Sequence, residues 1–235
     1  MFTKSEKYYD VLYEALGKDY AAEAEAAHKV IQKYKRTIKN SLLDVACGTG
    51  AHAEVLRKYY KYEGLDIDPA MLKIARAKFL KLKFHRGNMV DFELGKRFDA
   101  VVCLFSSIGY VKTRPGMTKA IKTMARHLLP GGVLLVEPWF SPVDWKQGSV
   151  RSLHAETPDF KVARISYSGR KGNTSLLEFH YMVGDIKGVR YFMENHIMGL
   201  FTHEEYMGAF GSAGLKTVYN KKGLSGRGLY IGVKK

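Results

Sequence analysis

The sequence predicts an α/β protein, a mostly parallel seven-stranded sheet with helices on both faces and an antiparallel β lobe inserted before the last helix. Three observations carry this reading. Leu42-Leu43-Asp44-Val45-Ala46 is an apolar run of the kind that forms a parallel strand covered on both faces, and it stops at Cys47-Gly48-Thr49-Gly50. Apolar strand-like runs recur at 98–105 and 133–136, and 62–66 reads as a further strand, with helical stretches between them, the alternation expected of a parallel sheet. From about residue 143 the pattern changes to strand-like alternation around a glycine-rich turn, and helical periodicity returns only near residue 202.

Each element has a local reason. Residues 8–13 and 19–34 carry apolar and aromatic side chains at helical spacing, so two helices precede the first strand. On them Tyr13 and Tyr34 read as packing, whereas Tyr9 and Tyr20 read as rings that fold over a ligand. At the end of the first strand, Gly48 and Gly50 permit a sharp turn and let a ligand lie against the main chain. Residues 51–60 read as the following helix, its free N–H groups directed at the turn. This strand–turn–helix suits a nucleotide. The second strand, 62–66, ends in Asp66, a carboxylate able to accept both hydroxyls of a ribose, with Ile67 and Met71 just beyond it. Asp44 would repel a phosphate and suits an ammonium or sulfonium group.

Pro69 opens a helix running to Lys78, residues 82–84 form the third strand, and 85–89 the loop after it. The fourth strand, 98–105, ends in Ser106-Ser107-Ile108-Gly109-Tyr110. A helix over 117–129 is halted by Pro130-Gly131-Gly132, and the fifth strand, 133–136, ends in Glu137-Pro138-Trp139. Open parallel sheets bind ligands at the carboxyl ends of their strands, which sets Phe105 and the residues after it beside the glycine turn. In the lobe, strands at 162–167 and 176–183 flank a hairpin turn at 169–173, and 189–198 adds a third strand. Thr202 and Glu205 form a capping box for a helix to Ala213 stopped by Gly214; strands at 215–219 and 229–233 complete the sheet with an antiparallel edge. The core is thus 1–142 with 201–235, and the lobe 143–200.

Composition narrows the partners. No stretch approaches a membrane span, and the segment from Met1 to Lys7 lacks the apolar run of a secretory signal, so a cytoplasmic location is expected. Cys47 and Cys103 both sit in apolar strand contexts, which argues against a disulfide or a metal site. The net charge of +15 favours phosphate-bearing partners, whether a phosphorylated small molecule or nucleic acid, although scattered lysines are equally a mark of thermophilic proteins.

The string D-V-A-C-G-T-G followed by G-L-D resembles motifs I and II of the Rossmann-like S-adenosylmethionine (SAM) dependent methyltransferases. That resemblance implies SAM as cofactor, with Tyr9, Tyr20, Asp44, Ala46, Cys47, Gly48, Gly50, Asp66, Ile67, Met71 and Phe105 around it. In the same pattern Asn88 and Met89 hold the adenine. Tyr9-Asp10, Gly17-Lys18-Asp19-Tyr20, Phe105-Ser106-Ser107-Ile108-Gly109-Tyr110, Glu137-Pro138-Trp139 and Leu224-Ser225-Gly226-Arg227-Gly228-Leu229 further resemble the N,N-dimethyltransferases of deoxyamino-sugar biosynthesis. This implies as acceptor the amine of a dTDP-linked amino sugar, contacted by Ser106, Ser107, Tyr110, Glu137, Trp139 and Arg227, and a homodimer formed through the inserted lobe. Tyr9 and Tyr110 are the residues expected to orient the amine, and His196 reads as structural. The charge alone favours an RNA methyltransferase instead. However, the Asn/Asp-Pro-Pro-aromatic string of amino-methylating nucleic-acid enzymes is missing after the fourth strand, and Cys103 lies inside a strand. A SAM-binding protein with another small-molecule acceptor is the third reading.

Overall fold

A computed structural model describes residues 4–235; the first three residues of the expected signal-free N-terminus lie outside the described part. Two helices, α1 (Tyr9–Ala15) and α2 (Tyr20–Tyr34), precede β1 (Ser41–Val45). Then follow α3 (Ala53–Leu56), β2 (Lys61–Asp66), α4 (Pro69–Lys78), β3 (Lys83–Arg86), β4 (Phe98–Cys103), α5 (Arg114–Arg126) and β5 (Leu128–Val136). The lobe comprises β6 (Val150–Glu156), β7 (Phe160–Lys171), β8 (Thr174–Asp185) and β9 (Gly188–Gly199); α6 (His203–Ser212), β10 (Leu215–Asn220) and β11 (Leu229–Lys234) close the chain.

The main sheet has seven strands in the order β10-β11-β5-β4-β1-β2-β3. Strands β3, β2, β1, β4 and β5 run parallel, and β11 pairs antiparallel with both β5 and β10. The antiparallel strand is therefore the second from the edge. Caps fix the helices where the sequence placed them. Asp19 and Asp68 accept the N-terminal N–H groups of α2 and α4, and Thr202 and Glu205 form the capping box of α6.

Beyond shifts of a few residues at element ends, such as α5 at 114–126 for the expected 117–129 and β4 ending at Cys103, three features differ from the expectation. The helix over 51–60 is α-helical only at Ala53–Leu56. Beyond it the chain tightens into three-residue turns, Lys58 N–H donating to Val55 O and Tyr59 N–H to Leu56 O, which turn Tyr60 inward to His28 and Gln32. Strand β5 begins before Pro130-Gly131-Gly132, which forms a bulge: the register with β4 shifts there, and the Gly131 carbonyl accepts from Arg36 N–H. Finally, the lobe has a fourth strand, β6, with Leu153 as its one buried residue, so its alternation was too weak to read.

Two buried clusters cover the faces of the main sheet, and a third joins α1 to the lobe. In that third cluster Tyr8 and Leu12 pack against Leu153, Val162, Phe179, Tyr181 and Val183. The helix α1 is thus held between lobe and sheet, above the carboxyl ends of β1 and β4. Thr49 donates to Asp10 at 2.7 Å and Lys78 pairs with Asp10, which ties α1 to both the glycine turn and α4.

Candidate active site

A cavity of about 580 Å³ opens at the carboxyl ends of the parallel strands, between the main sheet, α1 and the inner face of the lobe. A second, of about 440 Å³, shares Ala46, Asp66, Ile67, Met89 and Tyr110 with it, so Asp66 and Ile67 stand at the junction. Backbone strain is concentrated here. Ala46 at the end of β1 (φ 61°), and Phe105 and Ser106 at the end of β4 (φ 50° and 60°), are non-glycine residues in the left-handed region. Such conformations cost of order 1–3 kcal/mol each and persist where surrounding bonds enforce them. The enforcing bonds are visible. Glu137, fully buried, accepts from Phe105 N–H at 2.6 Å and from the Ser225 hydroxyl, and Ser106 Oγ donates to Pro138 O at 2.6 Å while accepting from Arg227 Nη1 at 3.1 Å.

Asp66 organises the other side. Its Oδ2 accepts from Gly48 N–H at 2.8 Å and its Oδ1 from Asp68 N–H at 2.9 Å, which locks the glycine turn to the end of β2. Each carboxylate oxygen keeps a second lone pair for a ribose hydroxyl. Gly48 has φ +56° and a Cβ built there meets nothing within 4 Å, because it would enter the cavity. Gly50, also at positive φ, faces Phe79 and Ala75 of α4 instead, so its glycine serves conformation and packing.

The expected residues divide into two groups. Tyr9, Ala46, Gly48, Asp66, Ile67, Met71, Met89, Phe105, Ser107, Tyr110, Trp139 and Arg227 line the larger cavity, and Asn88 lines the second beside Met89. Asp44, Cys47, Gly50, Ser106 and Glu137 stand behind the wall. Tyr20 stands behind it too, its buried hydroxyl without a hydrogen-bond partner among the described residues and its ring edge-on to His52. The residues present fit SAM: an open cradle at Gly48, a carboxylate placed for a ribose, and apolar Ile67 and Met71 beside it.

Asp44 is 2 % exposed and accepts from the Tyr62 hydroxyl at 2.8 Å. Burial raises its pKa to about 6, with the charge of Asp66 adding and His52 and Tyr62 opposing. A carboxyl raised above its unfolded value contributes stability at low pH that is lost as the pH rises through about 6. Asp44→Asn removes that loss. Its melting temperature should therefore exceed that of the wild type at pH 8, by an amount corresponding to on the order of 2 kcal/mol, and converge with it at pH 4. An equal shift at both pH values in thermal melts of the SAM-free protein would contradict this account of Asp44.

Three residues stand at the site without having been expected there: Lys18 read only as part of a motif, His196 read as structural, and Arg164 carried no signal. Lys18 sits over the Phe105 ring, 3.6 Å from its centroid, and pairs with Glu23, which also meets His52 at 3.1 Å. These contacts fasten the start of α2 to the turn after β1. His196 of β9 lines the cavity with its Nδ1 2.8 Å from the Tyr110 hydroxyl, and its Nε2 lies 3.8 Å from Glu194. Burial pushes the imidazole down, and Glu194 opposes this. Arg164, on the lobe, faces the same space.

A family model described as a methyltransferase domain matches residues 42–132, the span from β1 to the start of β5. Over 96 % of this chain and 95 % of its own length, the dTDP-3-amino-3,4,6-trideoxy-alpha-D-glucopyranose N,N-dimethyltransferase of Streptomyces venezuelae is 44 % identical. The chain belongs to the family of dTDP-amino-sugar N,N-dimethyltransferases. Another member, the dTDP-4-amino-2,3,4,6-tetradeoxy-D-glucose N,N-dimethyltransferase of Saccharopolyspora spinosa, is 38 % identical over 96 % of this chain and 91 % of its own. The solved structure of SAM-bound CalS10, an amino pentose methyltransferase from Micromonospora echinaspora, superposes with a TM-score of 0.88 at 38 % identity, covering 97 % of each chain. This N,N-dimethyltransferase family member is accordingly a SAM-dependent methyltransferase with a Rossmann-like fold.

Proposed function

We propose that the protein transfers methyl groups from SAM to the amine of a dTDP-linked amino sugar, twice in succession. The observation that carries this reading is full-length identity of 44 % to an enzyme named for that reaction. A cavity of about 580 Å³, running from Gly48 and Asp66 to the inner face of the lobe, has the size of a small-molecule site and supports it. The relatives include enzymes named for both 3-amino and 4-amino acceptors.

SAM supplies a methyl group already electrophilic on a sulfonium. What the chain must add is alignment, a neutral amine and a route for the amine proton. Burial first, then neighbouring tyrosines, push the Tyr9 and Tyr110 phenols well above their ordinary range, so both act as neutral hydrogen-bonding groups. Glu194 beside Nε2 favours the His196 tautomer protonated there, which leaves Nδ1 to accept the Tyr110 proton. The Tyr110 oxygen then accepts from the amine N–H, and the neutral imidazole is the next acceptor in line. Phe105, Ser107 and Trp139 form the acceptor wall; Glu137 and Ser106 act through it, holding the strained turn and Arg227.

The lobe also supports a homodimer. The apolar residues Leu177 and Phe179 turn inward onto α1, whereas Ile165 faces out. On that outer face Ala163, Met182 and Tyr191 align across β7, β8 and β9, as do Ile165, His180 and Met193. Tyr191, Met182 and Ile165 are 62 %, 57 % and 55 % exposed, a contiguous apolar strip of the kind that marks an interface. Light scattering at micromolar concentration should give twice 26.6 kDa for the wild type and 26.6 kDa for Ile165→Glu/Tyr191→Glu. A monomeric wild type removes the dimer.

The reaction is tested by release of S-adenosylhomocysteine over a panel of acceptors: dTDP-3-amino and dTDP-4-amino sugars, the free amino sugars, and tRNA. Turnover confined to the nucleotide sugars supports the proposal, and turnover on tRNA alone overturns it.

A further inference from the structure

We infer that Arg164, on the inner face of the lobe, is the seat of the acceptor's diphosphate, an assignment that rests on the nucleotide-sugar reading above. Arg164 lies in β7 between Leu153 of β6 and Tyr181 of β8, and its inward face is shared with Val162 and Ser166. The side chain is 7 % exposed, yet it lines the large cavity. Its Nε and Nη1 have no hydrogen-bond partner among the described residues. The guanidinium carbon rests 4.4 Å from the Phe179 ring centroid and 5.6 Å from that of Tyr13.

A guanidinium in aromatic surroundings with two idle donors is a costly arrangement. Taking such a charge out of water is unfavourable, and rings recover only part of that. The cost is recovered when an anion arrives in the cavity and takes both donors. The planar fork of arginine matches two phosphate oxygens at once, a geometry lysine cannot reproduce. The surroundings suit the same ligand: Arg151, Ser152 and Ser166 stand on the same cavity wall, whereas Arg227 has already given Nη1 to Ser106. The Tyr13 hydroxyl is within hydrogen-bonding reach of the Arg164 guanidinium, whose Nε and Nη1 stay unpartnered among the described residues, and it also feels the charge of Arg227, which puts both guanidinium groups beside one phenol. A diphosphate lying past Tyr13 meets Arg164 from the lobe and Arg227 from the sheet, with the sugar amine directed toward Tyr110.

The test is isothermal titration of the full-length protein with dTDP and, separately, with inorganic diphosphate. SAM affinity serves as the control for folding. Arg164→Met keeps the volume and removes the charge. It should weaken dTDP binding by about 30-fold or more while SAM affinity and melting temperature hold, because burying methionine there is no worse than burying an unpaired guanidinium. Arg164→Lys should lose about 10-fold, lacking the fork. If Arg164→Met also lost SAM affinity, Arg164→Lys would decide. A variant that keeps SAM affinity and binds both probes as the wild type does overturns the seat, as does a wild type that binds neither. Arg164-dependent binding of inorganic diphosphate without binding of dTDP keeps the seat and removes the nucleotide-sugar reading.

Discussion

Asp66→Ala is expected to weaken SAM binding by at least about 100-fold, since two charge-assisted hydrogen bonds to the ribose, each worth about 1.5–3 kcal/mol, disappear together. The loss is compounded within the protein. The same carboxylate accepts from Gly48 N–H and Asp68 N–H through opposite oxygens, so its removal leaves two backbone donors unpaired and releases the turn. Asp66→Asn does not rescue it. An amide has one acceptor oxygen, and its NH₂ would face one of those two donors. Gly48→Val reaches the same end by another route: at φ +56° an L side chain costs roughly 1–2 kcal/mol, and its atoms enter the space the cofactor needs. Isothermal titration reads both variants, with far-ultraviolet circular dichroism as the control for folding. Affinity within threefold of wild type in both would remove SAM from this position.

Arg227→Ala should raise KM for a dTDP-amino sugar by about 10-fold or more with SAM affinity unchanged, because it deletes a contact remote from the reacting amine. The position of Arg227 depends on a tight loop. A Cβ at 223 would clash with the Gly228 backbone and one at 228 with the Tyr219 ring, and both positions are at positive φ (+60° and +88°), so glycine is favoured at each where the chain crosses itself. Ser225 anchors the loop to Glu137, and the guanidinium comes to rest over Phe105, Trp139 and Phe140 at 5.3–5.7 Å. Unaltered kinetics in Arg227→Ala would reduce it to a scaffold for Ser106.

The parts of the site that were legible in the sequence are those whose chemistry is local. Gly48 at a positive φ, Asp66 at the end of β2 and the capping box at Thr202 each announce themselves within a few residues. What was not legible depends on distant segments meeting. Nothing near Arg164 tells that α1 will cover it with Tyr13, and nothing near His196 tells that Tyr110 will come within 2.8 Å. Glu137 was an acceptor contact only as the family resemblance implied. The structure gives its oxygens to Phe105 N–H and Ser225, one carboxylate serving two loops that the sequence keeps far apart. The short α3 is of the same kind, since the pull on Tyr60 comes from His28 and Gln32 on α2.

The most direct test of the account is the mass of the acceptor itself. A dTDP-3-amino or dTDP-4-amino sugar incubated with the enzyme and SAM should gain first one and then two methyl increments, located on the amine by fragmentation, with two equivalents of S-adenosylhomocysteine formed. An unchanged mass for both nucleotide sugars, from a protein that binds SAM, would contradict the proposed reaction.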